Sequence, residues 1–170
     1  DDQTYTVDVR AVFGNGLTVE AGYSDYNFDT AYSVAVGTYL SDYAEIQLGY
    51  LGSQDTEVDT WAATYHALIR LNDLSNLSYT VSAGYIDADT DDGYMLDNDL
   101  TYYFNWNLGI GGTASFSDLD LLDTRTYGLH ANYFFTPNFF IDGYVETTDY
   151  QGQDNDSNED SVGIGAFVRF

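Results

Sequence analysis

The side chains able to do acid–base or ligand chemistry are few in kind and lopsided in charge. The chain carries 28 Asp and Glu, four basic residues that are all Arg, two histidines and no cysteine. Without a thiol there is neither a thiolate nucleophile nor a disulfide framework. His66 in "TYHAL" and His130 in "GLHAN" are the only imidazoles. A hydrolytic centre on either needs a nucleophile and an orienting acid beside it, and neither stretch announces one, so the chain is not expected to be an enzyme. The net charge of −24 excludes nucleic acid as a partner, because phosphate contacts need Lys and Arg. "DADTDDG" (87–93) has the look of a calcium loop, with Asp87, Asp89 and Asp91 as candidate ligands. Its Gly stands at the seventh position instead of the sixth and Asn98 replaces the closing Glu, so the match is weak. No cofactor is expected.

The elements that position these groups show themselves through period-two alternation, the mark of a strand with one apolar face. In the terminal "SVGIGAFVRF", Val162, Ile164, Ala166, Val168 and Phe170 alternate with Ser161, Gly163, Gly165 and Arg169, and Phe167 is the one large apolar intruder. The same rhythm runs from Tyr5 to Phe13, resumes after "GNG" from Leu17 to Tyr23, and recurs along the sequence. It predicts eleven strands of about ten residues and no helix. Short connections ("GNG", "SD", "NDLSN", "NWN", "TPN") alternate with longer ones at 25–30, 53–59, 87–93, 117–124 and 149–160, and the longer ones hold most of the acidic residues. All the long acidic connections therefore belong to one end of the sheet. With 17 Tyr, 10 Phe and one Pro, the chain has too much aromatic surface for a disordered acidic tail.

Two architectures alternate in this way. A soluble sandwich turns large apolar residues inward and polar ones outward. Here the polar set is rich in Gly, Ser, Thr and charge, while the apolar set carries aromatics at its two ends, as in Tyr94 with Phe104 and Tyr127 with Phe135. Aromatics at both edges of an apolar band match a barrel crossing a membrane, with rings at the two interfaces. The expected fold is thus all-β, a transmembrane antiparallel up-and-down β-barrel whose last strand closes on the first, since an open edge in lipid strands backbone groups.

Over its whole length the chain resembles the bacterial outer-membrane β-barrels, small porin-like proteins included. In that family the last strand ends in an aromatic residue preceded by alternating apolar residues, a pattern read by the barrel assembly machinery. "VGIGAFVRF" fits it with Phe170, Val168, Ala166 and Ile164. The resemblance implies termini in the periplasm, long acidic loops outside the cell, and outer-membrane lipid and lipopolysaccharide as surroundings. It also implies an even strand number: residues 1–170 then form a single domain lacking its first N-terminal strand, giving twelve, unless one strand has been split or missed.

With the polar set inward, the lumen receives Asp8, Arg10, Glu20, Glu45, His66, Arg70, Asp97, Asp99, His130, Asp142, Glu146 and Arg169. Arg10, Arg70 and Arg169 fall in one layer with Glu20, Glu45 and Asp142, which either braces the barrel foot as ion pairs or forms a charged constriction. Asp97, Asp99 and Glu146 add negative charge higher up. Gly22, Gly49, Gly84, Gly109, Gly111, Gly128, Gly163 and Gly165 face the same way and leave space. The function expected is a porin-like channel for passive, cation-preferring diffusion of small solutes; the alternative is a non-conducting structural or interaction barrel with acidic loops.

Overall fold

A computed structural model describes residues 5–26, 29–54, 57–88, 91–105, 107–119, 122–136, 139–152 and 156–168. They form eleven strands: β1 (Tyr5–Val12), β2 (Leu17–Tyr26), β3 (Asp29–Ser41), β4 (Ala44–Ser53), β5 (Val58–Arg70), β6 (Asn76–Ala88), β7 (Asp91–Tyr103), β8 (Leu108–Leu119), β9 (Leu122–Thr136), β10 (Phe139–Gly152) and β11 (Asp156–Val168). Each strand pairs antiparallel with its sequence neighbour in a single meander, β1 through β11 in order. Alternation makes the pairing unambiguous, because a one-residue slip turns every apolar side chain onto the polar face.

The two faces settle the choice of architecture. Among the described residues only Ala67 is a buried apolar side chain, while Leu48, Leu129, Val162 and Ile164 stand more than half exposed on the outward face. A soluble sandwich with its core turned out has no folding driving force; the same surface against lipid needs none from a core. Aromatic rows bound the apolar band. Near one edge Tyr50 packs on Trp61 at 4.4 Å, Tyr85 on Tyr94 at 5.5 Å and Phe116 on Tyr127 at 5.7 Å. Near the other, Tyr102 meets Phe104 at 4.8 Å and Phe135 meets Phe139 at 5.1 Å. From Tyr94 to Tyr102 along β7 is about 27 Å at the usual rise per residue, enough for a tilted strand to span the apolar band of an outer membrane.

The end carrying the 13–16 turn is called the foot and the opposite end the rim. Foot turns are stapled by their own side chains. Gly16 takes a left-handed φ of 83° that suits glycine, and the Gly16 amide donates to Phe13 O at 2.9 Å. Asn105 Oδ1 accepts from the amides of Asn107 and Leu108, and Asn72 Oδ1 from that of Leu74, Asx turns in each case.

Two expectations need correction. The acidic stretches at the rim are not long loops: β8 runs to Leu119 and β9 starts at Leu122, while β10 runs to Gly152 and β11 starts at Asp156. The ladder continues through them, pairing Asp118 with Asp123 and Asp149 with Asn158. Polar residues on both faces erase the alternation, yet backbone bonds continue once the strands have left the apolar band. The sheet is also not closed: β1 pairs only with β2 and β11 only with β10. In an eleven-strand meander β1 and β11 run in the same direction, so these two strands cannot pair antiparallel with each other.

Candidate functional site

The inward face is a polar wall on which large side chains lie flat across glycines of the neighbouring strand. On β3, Gly37 sits between Thr18 of β2 and Gln47 of β4, and a Cβ there would meet Gln47 Cγ at 2.5 Å and Thr18 Oγ1 at 2.7 Å. Because nothing rises from Gly37, Glu45 on β4 reaches over β3. Its Oε1 accepts from Thr18 Oγ1 at 2.6 Å and its Oε2 from Arg10 on β1 at 2.7 Å. Arg10 also pairs with Glu20 at 3.0 Å, and Gln47 Nε2 donates to Glu20 and Glu45. Thr18 is fully buried beneath this group, and Glu45 nearly so. Buried carboxylates need such partners, and one of them ties β1, β2 and β4 together across β3.

A second bridge crosses β8. Gly111 lies opposite both Thr101 of β7 and His130 of β9, so the imidazole lies over it and its Nε2 comes within 2.8 Å of Thr101 Oγ1. His130 Nδ1 is 3.6 Å from Asp99 Oδ2. The connectivity mimics a hydroxyl–imidazole–carboxylate triad, but Thr101 is 3% exposed and also donates to Asp99 Oδ1 at 3.1 Å. A substrate carbonyl has no approach to that hydroxyl, and the trio acts as a brace between β7 and β9. His66 meets Thr80 at 2.9 Å on the adjacent strand. The same flat packing recurs where the Tyr103 ring covers Gly109 and the Tyr144 ring covers Gly163. Gly37, Gly109, Gly111 and Gly163 thus serve as seats for a neighbour's side chain, a role the sequence pattern did not reveal because each seat is filled from another strand.

Of the expected foot layer, Arg10, Glu20 and Glu45 come together. Arg70 does not join them; it pairs with Asp73 of the adjoining turn at 2.7 Å, both side chains well exposed, because a local partner three residues away outcompetes one across the lumen. Asp142 faces Asn132 and Gly165 in register, with its Oδ1 buried and without a hydrogen-bond partner. Arg169 and Phe170 lie outside the described residues. Ile164, Ala166 and Val168 fall in β11. Asp97 pairs in register with Ser82 and Ser115, and Glu146 accepts from Ser161 Oγ at 3.0 Å. In the calcium-like stretch, Asp87 stands opposite Asp92 and Asp91 opposite Ala88, so the described residues of this stretch form a ladder. Asp89 lies outside the described residues, and among those described no group of three acidic or imidazole side chains is placed to hold a metal.

Sequence reasoning also missed the inward aromatics of the foot. Phe134 and Phe140 pack at 5.0 Å, with Tyr103 6.5 Å from Phe134. They sit at polar-phase positions, so the alternation hid them; only the position of Phe167 hinted at apolar residues on this face.

No protein-family model matches the chain, and no curated protein matches it in sequence. Solved structures do. A KdgM porin superposes with a TM-score of 0.63 at 15% identity, covering 98% of this chain and 92% of its own. A NanC porin gives 0.65 at 15%, covering 98% and 93%, and a KdgM porin in complex with disordered oligogalacturonate gives 0.62 at 14%, covering 98% and 92%. At such identities the likeness speaks for the backbone alone, and it agrees with the antiparallel meander, the outward apolar band and the polar inner wall: the chain has the fold of the porin-like outer-membrane β-barrels.

Proposed function

We propose that the protein is an outer-membrane channel for passive diffusion of small solutes, with a preference for cations. One observation carries the reading: Asp8, Glu20, Glu45, Asp97, Asp99, Asp142 and Glu146 share the inner face, and among the described residues the one Arg held in their midst is Arg10, already bound to two carboxylates. Low-dielectric walls focus such a field onto whatever passes between them. The flat lie of Glu45, Gln47, His130, Tyr103 and Tyr144 supports an open lumen over a plug, since side chains seated on glycines do not project toward the axis. The inaccessible Thr101 hydroxyl favours a channel over an enzyme.

The remaining parts follow from the same reading. One further antiparallel strand between β1 and β11 completes a twelve-strand barrel, with the foot in the periplasm and the acidic rim outside the cell, among lipopolysaccharide. Phe170, with Val168, Ala166 and Ile164, serves as the signal for the barrel assembly machinery. The KdgM porin was captured with oligogalacturonate, a polyanion; the acidic lumen of this chain is proposed to turn such solutes away. Planar-bilayer recording tests the function. Discrete conductance steps in KCl are expected, with neutral oligosaccharides entering reconstituted liposomes faster than uronate oligomers of equal length. A silent bilayer, or faster uronate entry, refutes the reading.

A further inference from the structure

The two walls of the lumen differ in how their charge is compensated. On β1–β4, Arg10 pairs with both Glu20 and Glu45 and offsets one of their two charges. On β10, Asp142 and Glu146 share a face with no Arg beside them among the described residues: Glu146 accepts from a neutral Ser161, and Asp142 Oδ1 is buried with no donor at all. Between them on the same face stands Tyr144, about 7 Å along the strand from each. Its ring lies against Gly163, where a Cβ would come within 2.3 Å of Cε1 and 2.5 Å of Cζ. The Cε1–Cζ side of the ring therefore lies over Gly163, and the residue remains 42% exposed. A cavity of about 370 Å³ opens here, where Thr113, His130, Asp142, Tyr144 and Glu146 share the lining with Gly128 and the apolar Leu129 and Val145. The imidazole is turned the other way, toward Thr101 and Asp99 on β7.

We propose that this cavity is a binding site for alkylated ammonium ions, held against the exposed ring of Tyr144 between the carboxylates of Asp142 and Glu146. This names the solute class of the cation-preferring channel and rests on that reading. An aromatic face attracts a cation that is weakly hydrated and carries C–H groups, and flanking carboxylates supply the countercharge. Potassium is compact and hydrated, so the ring offers it little. A neutral sugar can stack on the ring but leaves both carboxylates unused, and an anion is repelled.

The test is equilibrium titration of the full chain, folded in detergent, with tetramethylammonium chloride at constant ionic strength set by KCl, followed by saturation-transfer NMR; circular dichroism checks that each variant retains its β-structure. Saturable binding is expected for the unaltered protein. Tyr144→Phe should keep it within about twofold and Tyr144→Leu should weaken it about fivefold or more. Gly163→Ala, which leaves Tyr144 in place but lifts its ring from the wall, should weaken it likewise. Absence of saturable binding, or equal binding by the folded Tyr144→Leu protein, overturns the site. The readout does not depend on conduction. Binding without cation-selective conductance therefore faults the channel reading alone, and selective conductance without binding faults this site alone.

Discussion

Glu45 and Arg70 show how differently two charged residues of the same inward phase can behave. Glu45 is held by Thr18, Gln47 and Arg10, and its removal leaves the buried Thr18 hydroxyl without its acceptor and Arg10 with one partner fewer. Glu45→Ala should therefore cost about 1–3 kcal/mol, read as a lower midpoint in urea unfolding from lipid or detergent. Arg70 pairs with Asp73 in the open, so Arg70→Ala should cost about 0–1 kcal/mol. Equal losses would contradict this assignment. Glycines divide in the same manner. A Cβ on Gly111 would lie 2.4 Å from His130 Nε2 and 2.6 Å from Leu100 O, whereas one on Gly143 would meet nothing closer than 3.7 Å. Gly111→Ala should cost about 1–3 kcal/mol by overpacking, and Gly143→Ala should be neutral or stabilise by about 0.4–1 kcal/mol. That the charged residues of the polar set face inward was legible from parity, whereas the inward aromatics Tyr103, Phe134 and Phe140 were not. Which inward residues touch was not: Glu45 reaches Thr18 across β3 and Arg10 across β2 and β3, and nothing in the spacing of residues 10, 18 and 45 encodes that bridge.

At the scale of elements, the eleven strands and their order were readable because the outward face is apolar along the band and every register is fixed by it. The strand ends were not. Asp118, Asp123, Asp149 and Asp156 extend β8 to β11 in stretches polar on both faces, where the alternation falls silent although the ladder persists. The foot turns at 13–16 and 72–75 agree with their Gly and Asn residues, and the β1–β2 turn gives a sharp expectation. Gly16 holds φ at 83°, so Gly16→Ala should destabilise by about 1–2 kcal/mol, again measured by urea unfolding. The proposed orientation is checked by tags: one inserted at Asn155 should be labelled on intact cells and one at Asn15 should not, and the reverse labelling would contradict the placement of rim and foot.

For the molecule as a whole, the charge of −24 is distributed in two ways that act together. Outward carboxylates sit just beyond the aromatic row, where Tyr50 and Tyr85 hydroxyls donate to Asp59 at 2.6 Å and to Asp92 at 2.5 Å. These anchor the ring edges at the boundary of the apolar band. Inward carboxylates line the passage with Arg10 as their partner at the foot. A wall of flat side chains, a negative field and a porin-like backbone together support the proposed selective passage of cations. Reversal potential across a planar bilayer under a KCl gradient tests that proposal most directly. The account predicts a potential displaced toward the Nernst potential of potassium, with the displacement shrinking as salt rises and screening grows. A potential at zero, or one displaced toward that of chloride, would contradict it.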